Sequence, residues 1–162
     1  MPPIVPAPGQ RLRFLWNRLS PYPGGKWLFS RILGRMAPYS GTIGALVEQL
    51  EPGFAKVSLT DRRRVRNHLD SIHAVALVNL AEQASGLAVL MGLPSDVRGI
   101  LTGLTITYRK KARGRLVAEC RCAIPAVTGS IDYEAVATIK DSGEEVVAQA
   151  VARWRLGPAK PA

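Results

Sequence analysis

The sequence lacks several features that would assign it to a specialised class of protein. Only two of its 162 residues are cysteines, Cys120 and Cys122, so a small secreted scaffold held by disulfides is excluded. These two cysteines lie two residues apart in a strand-like run, where they share one face and are badly placed to form a disulfide with each other. We therefore expect free thiols in a reducing cytoplasm.

Long apolar runs and nucleic-acid signatures are also missing. The longest apolar stretch is interrupted by Asn79, Glu82 and Gln83 before it reaches the ~18–20 residues that cross a bilayer. The first residues, MPPIVPAPGQRLRF, lack the basic and then apolar segments of a secretory signal, so a cytoplasmic location is expected. Aromatic residues do not alternate with basic ones as in single-strand binders, and no DNA- or RNA-binding motif is present. Nucleic acid is therefore not the expected partner, and no metal site is expected.

Acidic residues are scarce relative to basic ones. Twelve Asp and Glu residues stand against 22 Lys and Arg, which gives a net charge of +10. Charge alone is compatible with three kinds of anionic partner, namely nucleic acid, anionic lipid or a phosphorylated cofactor. The length and the 47% hydrophobic content predict one folded domain with a substantial core.

The first forty residues separate into a flexible segment, 1–10, and a helical extension, 11–40. Two short helices are predicted between Arg11 and Met36, with the breaker at residues 21–25 between them. Their apolar faces are predicted to hold Leu12, Leu15, Trp16 and Leu19 in the first helix, and Trp27, Leu28, Ile32 and Leu33 in the second. Because basic residues occupy the opposite faces, residues 11–36 either contact a membrane surface, cover a site, or pack at the domain edge.

The rest of the chain, 41–157, reads as one domain followed by a tail, 158–162. Alternating residues predict a strand pair within 42–59, joined at a Pro52-Gly53 turn. Four further strands are predicted at about 100–110, 114–124, 129–140 and 145–156. A hairpin turn is expected at Asp141-Ser-Gly143.

Between these strand groups lies the stretch from Asn67 to Met91, which becomes a helix that is apolar on nearly every side. Glu82 interrupts it, and burying a carboxylate costs several kcal/mol unless the group is paired. Together with Asn79, Gln83 and Gly86 it forms a stripe spaced i, i+3, i+4, i+7, which predicts either a site wall or a buried hydrogen-bond network. A sheet covers one side of such a helix; the other side needs the N-terminal helices or a second copy of the chain.

The motif in this stretch resembles that of hotdog-fold acyl-CoA thioesterases. Asn67, then His73 followed by Ala74-Val75, then Leu80-Ala81-Glu82 follow the spacing of the phenylacetic-acid-pathway-like branch and its DUF4442-type relatives. The resemblance covers about residues 42–156. It implies an α+β hotdog fold, a curved antiparallel sheet of about six strands wrapped round one long central helix, here with two short N-terminal helices.

The resemblance also implies site residues. Glu82 would be the nucleophile or general base, Asn67 would hold or polarise the thioester or water, and the backbone N–H of Ala74 would stabilise the oxyanion. The last role agrees with the unpaired N–H groups and dipole of a helix N-terminus. The substrate-binding set implied beside them is His73, Asn79, Gln83, Gly86, Arg109, Lys110, Lys111 and Arg113.

The four basic residues of that set follow Tyr108 at the end of a predicted strand, where relatives flank the CoA channel. They would bind CoA phosphates, or would only keep a charged strand end from pairing with another edge. No cofactor is expected beyond the CoA moiety of the substrate. Compared with the family, this chain has Asp70 in place of a glycine, Ala74-Val75 in place of paired glycines, and no hydroxyl at Gly86.

Helix geometry adds a prediction about assembly. His73 and Glu82 are nine residues apart, which places them on opposite sides of a helix and ~13.5 Å apart along it. A two-fold homodimer, or a dimer of dimers, would bring Glu82 of one subunit to the helix entrance of the other. The alternatives are a non-catalytic hotdog protein that binds acyl-CoA or lipid, and a basic adaptor for anionic lipid or nucleic acid.

Overall fold

The computed structural model describes residues 8–159. The helices are α1 (Pro8–Leu19), α2 (Gly25–Met36), α3 (Pro38–Gly41) and α4 (Ala74–Gly92). The strands are β1 (Leu46–Glu51), β2 (Phe54–Leu59), β3 (Val97–Tyr108), β4 (Leu116–Arg121), β5 (Ile131–Lys140) and β6 (Val146–Pro158). A single 3-10 turn, Arg63–Val65, lies between β2 and α4.

The six strands form one antiparallel sheet in the order β1-β2-β4-β5-β6-β3. Small inward-facing residues stand opposite one another across it, such as Ala118 beside Val57 and Ala137 beside Ala150. These residues are fully buried, which lets the sheet curve closely round α4. The predicted hotdog fold is confirmed, and β1 and β3 are its two edges.

The central helix begins where the sequence predicts. His73 caps it, because its Nδ1 accepts a hydrogen bond from the Val75 N–H at 3.1 Å. An 18-residue window of α4 has a mean hydropathy of 1.5, so by length and composition this helix could cross a membrane, yet 67% of that window is buried inside the protein. Its apolar character therefore serves the core of the domain.

The N-terminal helices cover the side of α4 that the sheet leaves open. The guanidinium of Arg13 in α1 donates to the carbonyls of Met91 and Leu93, at 2.9 and 2.8 Å. Trp16 of α1 meets Phe29 of α2 edge to face, with ring centroids 5.1 Å apart. The layer predicted as either helices or a second copy is thus supplied at least partly by the chain itself.

Several predicted boundaries were wrong in this region. Helix α1 begins at Pro8 rather than Arg11, because proline fits the first turn of a helix, where no N–H is needed. Residues 8–10 of the segment predicted to be flexible are therefore helical, and residues 1–7 lie outside the described residues. The short α3 was not predicted, although Pro38 at its start is again a favourable first residue.

The predicted apolar face of α2 was wrong at Trp27 and Leu28, although Leu33 packs against the core as predicted. Trp27 and Leu28 are 60% and 41% exposed, whereas Phe29 is 1% exposed and anchors the helix. Periodicity over twelve residues fitted either face, and the aromatic contact of Phe29 with Trp16 decides between them. The face predicted for α1 is confirmed, because Leu12 and Trp16 are buried.

The boundaries of the last four strands differ by up to three residues from the predicted ranges. Strand β3 starts at Val97 rather than near residue 100, β4 spans only Leu116–Arg121, and β6 reaches Pro158, one residue into the predicted tail. The hairpin before β6 is confirmed, since Asp141 Oδ1 accepts from the N–H groups of Gly143 and Glu145 at 3.0 and 3.1 Å. The Pro52-Gly53 turn joins β1 to β2 as predicted.

Candidate active site

A cavity of about 600 Å³ lies between α4, the N-terminal helices and the segment before β1, and the side chain of Glu82 opens into it. From α4 the cavity is lined by Glu82 and the residues that follow on the same side, Gln83, Gly86, Leu87 and Leu90. Helices α1 and α2 supply Leu12 and Leu33, and β6 supplies Trp154. One half of the lining is therefore apolar and sits toward the C-terminal end of α4.

Glu82 is the chemically unusual group of this cavity. Its side chain is half-buried, and burial raises the pKa of its carboxyl above the ordinary value of 4.5. Among residues 8–159 no ion pair or hydrogen bond reaches the carboxylate. The carboxylate is thus free to act on a molecule in the cavity rather than being committed to the fold.

Gly86 and Trp154 enclose the carboxylate on one side. A Cβ added at Gly86 would lie 3.5 Å from Glu82 Oε1 and 3.6 Å from Cη2 of Trp154. The indole is 4% exposed, and its Nε1 is the one buried side-chain nitrogen or oxygen in the described chain without a hydrogen-bond partner. The glycine leaves room between the indole and the carboxylate that any other residue would fill.

Four arginines line the opposite, polar part of the cavity: Arg31 and Arg35 from α2, and Arg62 and Arg64 from the connection after β2. Nη2 of Arg62 donates to the carbonyl of Gly44 at 2.7 Å, and Arg64 donates to the carbonyl of Thr42. Within the described chain no carboxylate pairs with any of the four. We call these four residues the arginine rim; with Glu82 as the single acid of the lining, it attracts anions.

The polar stripe predicted on α4 divides into two parts. Asn79 is buried and donates through Nδ2 to the carbonyl of Tyr39 at 3.2 Å, and Gln83 donates to the carbonyl of Ser40 at 3.0 Å and to Asn79 Oδ1 at 2.9 Å. This half is a hydrogen-bond network that ties α3 to α4. Glu82 and Gly86 form the half that faces the cavity, which Gln83 also lines.

The residues predicted to polarise the thioester lie at the other end of α4. Oδ1 of Asn67 accepts from the backbone N–H groups of Leu69 and Ser71, at 2.9 and 3.3 Å, which closes the loop before the helix. Its Nδ2 group and the backbone N–H of Ala74 have no acceptor among residues 8–159. His73 is exposed and serves as the N-cap. None of these groups lines the Glu82 cavity within one chain.

The basic residues predicted to bind CoA phosphates, Arg109 to Arg113, are not part of the cavity lining either. Lys110 pairs with Asp141 at 2.7 Å and with Glu145, so it fastens the end of β3 to the hairpin between β5 and β6. Arg113 Nε donates to the carbonyl of Asp70 at 3.3 Å. Arg109 and Lys111 are exposed.

Comparison with known proteins identifies the family of this chain. Residues 25–156 match the family model of a domain of unknown function, DUF4442. The chain belongs to the DUF4442 family. No functionally curated protein matches it.

Solved structures resemble the DUF4442 domain over most of its length. A structural-genomics protein shares 28% identity at a TM-score of 0.78, covering 93% of this chain and 98% of its own. A Pseudomonas aeruginosa protein of unknown function, described as a probable thioesterase, shares 25% identity at a TM-score of 0.71, covering 78% and 91%. A thioesterase family protein from Silicibacter pomeroyi, with 18% identity, a TM-score of 0.68 and coverage of 80% and 96%, supports the fold alone. The DUF4442 domain thus has a thioesterase-like hotdog fold.

Sequence reasoning missed part of the cavity of this DUF4442 domain. Alternation along β6 indicates that Trp154 faces inward with Ala150 and Ala152, but nothing in the strand pattern shows which turn of α4 it meets. Arg31 and Arg35 are exposed on α2 as predicted, but the predicted rotation of this helix did not show that they also line the cavity. Arg62 and Arg64 belong to a charged connection that predicts either a solvated loop or an anion-binding rim, and the cavity favours the second.

Proposed function

We propose that the protein hydrolyses acyl-CoA thioesters, with Glu82 as the group that activates water or attacks the thioester carbonyl. The observation that carries the proposal is the unpaired, half-buried carboxylate of Glu82 on the central helix, open to a 600 Å³ cavity. The cavity has an apolar half suited to an acyl chain and an arginine rim suited to phosphates. The thioesterase-like fold is consistent with this chemistry.

In the general-base form, ionised Glu82 takes a proton from water while the water oxygen bonds to the thioester carbon. The tetrahedral intermediate then expels the CoA thiolate, which is protonated to the thiol, and the carboxylic acid leaves. In the nucleophilic form a carboxylate oxygen bonds to the thioester carbon, the C–S bond breaks, and the CoA thiolate leaves and is protonated. Water then hydrolyses the resulting anhydride, which releases the carboxylic acid and restores the Glu82 carboxylate. Because burial raises the pKa of the Glu82 carboxyl, its ionised form is a stronger base than an ordinary carboxylate.

Stabilisation of the oxyanion is assigned to Ala74 N–H and Asn67 Nδ2 of a second subunit. Within one chain, Ala74 and Glu82 lie eight residues apart on α4, about 12 Å along its axis. Strand β3 is a twelve-residue edge with exposed Ile100 and Tyr108, and such an edge favours pairing with another strand. Pairing of two β3 edges would give a homodimer with two composite sites, and a dimer of dimers would preserve them.

The CoA phosphates are assigned to the arginine rim rather than to residues 109–113. Charge neutralisation at Arg62 and Arg64 should therefore weaken CoA binding, whereas the same change at Arg109 and Lys111 should not. The acyl chain would extend past Trp154 toward the leucines at the far end of the cavity. We place this activity in the cytoplasm, where the free thiols of Cys120 and Cys122 stay reduced.

The proposal is tested by replacing Glu82 with Gln and measuring thiol release from a series of acyl-CoA esters. The matched control is Glu51→Gln, which changes an exposed carboxylate in β1. We expect the Glu82 variant to lose at least about a hundredfold in kcat, with an unchanged circular dichroism spectrum, and the control to match wild type. Full activity of the Glu82 variant on every ester that wild type hydrolyses would refute the assignment.

A second candidate function is binding of acyl-CoA without hydrolysis. The side chain of Val75 is 50% exposed at the N-terminus of α4, where the resembling family has glycine, and a bulkier residue there would narrow the space beside the Ala74 N–H. Tight binding of a non-hydrolysable thioether analogue, with no turnover of any ester by wild type, would favour this candidate.

A further inference from the structure

The N-terminal helices carry a surface that extends well beyond the cavity of the proposed reaction. Residues 8–47 contain six basic residues and no acidic one, since the first carboxylate in the chain is Glu48. This segment therefore supplies six of the ten net positive charges. The basic residues are Arg11, Arg13, Arg18, Lys26, Arg31 and Arg35.

The same segment exposes large apolar side chains. Phe14, Tyr22, Leu28, Met36 and Tyr39 are exposed, as is Trp27, and these six are half of the twelve large apolar residues exposed in the described chain. They fall within 26 consecutive positions, whereas the other six are spread from Leu69 to Val146. A soluble domain does not concentrate exposed aromatic residues on one short segment without a partner for them.

Helical spacing combines the two features on the outer faces of α1 and α2. In α1, Arg11, Phe14 and Arg18 follow i, i+3, i+7, and Tyr22 adjoins Phe14 and Arg18 around a shallow depression in the surface. In α2, Trp27 and Arg31 follow i, i+4, and the Arg31 guanidinium lies 5.5 Å from the centre of the Trp27 ring. The inner faces of both helices are held by the Trp16–Phe29 contact, so the outer faces stay available.

We propose that this outer face of α1 and α2, with the α3 residue Tyr39, is a docking surface for anionic lipid membranes. Arginines and lysine would contact the phosphates of the headgroups, while Trp27, Tyr22 and Tyr39 would lie at the depth of the interface, where amphipathic rings are most stable. The aliphatic Leu28 and Met36 gain from contact with acyl chains but offer nothing to a nucleic-acid base. A second copy of the chain is a poor occupant, because two faces of the same charge repel.

The surface is continuous with the Glu82 cavity. Trp27, Arg31 and Arg35 belong to both, so docking through α2 turns the mouth of the cavity toward the membrane. A substrate that partitions into lipid would then reach Glu82 without crossing water; this consequence rests on the proposed function. The docking itself does not, and it is tested without any measurement of hydrolysis.

The experiment measures binding to vesicles of phosphatidylcholine alone, or of phosphatidylcholine with an equal part of phosphatidylglycerol, by co-sedimentation. We expect binding only to the anionic vesicles, weakening as salt is raised. The double variant Phe14→Ser, Leu28→Ser changes neither the cavity lining nor the buried face, and it should bind at least tenfold more weakly. The control Val136→Ser, at an exposed apolar position on the sheet, should bind as wild type does.

Fluorescence adds a second readout, because Trp27 is the one exposed tryptophan of three; Trp16 and Trp154 are 8% and 4% exposed. Anionic vesicles should shift the emission of wild type to the blue, and Trp27→Phe should lose the shift while still sedimenting. Absence of binding to anionic vesicles at low salt would overturn the proposal. The proposal would also be overturned if the protein bound duplex DNA, or associated with itself, at least as tightly as it binds anionic vesicles, and if the same double variant lost that binding.

Discussion

Gly86 offers a test in which stability and activity should move in opposite directions. It lies in the interior of α4, where glycine costs about 1 kcal/mol relative to alanine because the unfolded chain loses more freedom on folding. A Cβ built there meets its nearest atoms at 3.5–3.7 Å, which is ordinary van der Waals contact. Gly86→Ala should therefore stabilise the domain by about 1 kcal/mol.

For a chain of this length, about 1 kcal/mol corresponds to a rise of roughly 2–4 °C in Tm. The assay is thermal unfolding followed by circular dichroism, with protein concentration held constant because assembly would contribute to Tm. The matched control is Gly92→Ala at the end of the same helix. A Cβ there would lie 2.5 Å from Cγ1 of Ile124 and 3.2 Å from the backbone nitrogen of Gly53, so this variant should lose about 1–3 kcal/mol.

Hydrolysis should fall in the Gly86 variant even as Tm rises. The new methyl group would stand 3.5 Å from Glu82 Oε1, where it displaces water and raises the pKa of the carboxyl further, and it narrows the space beside Trp154. A lower Tm in Gly86→Ala would refute the claim that a methyl group fits at this position. Faster hydrolysis by Gly86→Ala would refute the claim that the reaction takes place beside it.

Three further predictions concern single groups. Burial raises the pKa of Glu82 in the folded state, so ionisation of this group costs stability as pH rises above about 4.5. Glu82→Gln should therefore raise Tm relative to wild type more at about pH 7 than at about pH 4. An equal gain in Tm at both pH values would contradict the shift. Asn67→Asp keeps the acceptor used by the loop but removes Nδ2, so its unfolding in urea should match wild type while its turnover falls. Asn67→Ala, which removes the acceptor as well, should lose about 1–2 kcal/mol of stability. Normal turnover by the Asp variant would exclude Nδ2 from the reaction. Asp70 has φ +50°, so the free energy of unfolding of Asp70→Gly, measured in urea, should stay within about 0.5 kcal/mol of wild type. Asp70→Val should lose about 1–2 kcal/mol. Equal losses in the two variants would show that the backbone at this position relaxes.

The fold could be predicted because its signals are local and repeated. Alternation along β4, β5 and β6 has period two over many residues, and α4 is bounded by a capping residue and a Gly-Leu-Pro break. Asp70 illustrates the same agreement at one residue, since it stands where the resembling family has glycine and adopts a left-handed backbone. Each of these features depends on neighbours within a few positions.

Of the cavity lining, the sequence predicted three residues of α4, namely Glu82, Gln83 and Gly86. Glu82 was identified because a carboxylate in an apolar helix requires a partner or a function, and the structure supplies no partner within the described chain. The arginine rim and Trp154 depend on how α2 is rotated and on which turn of α4 meets β6. Such choices are made by tertiary packing, here by Phe29 against Trp16, and periodicity over twelve residues does not determine them.

The N-terminal helices therefore contribute more to the site than a covering layer would. Without these helices the Glu82 side of α4 would be more open to solvent, and the burial that raises the pKa of its carboxyl would be smaller. Leu12 and Leu33 close the apolar half of the cavity, and Arg31 and Arg35 place charge at its mouth. The segment that adds to the burial of the carboxyl also lines the path to it. On the proposed function, differences in acyl selectivity between DUF4442 proteins should therefore follow residues of these helices rather than residues of the sheet.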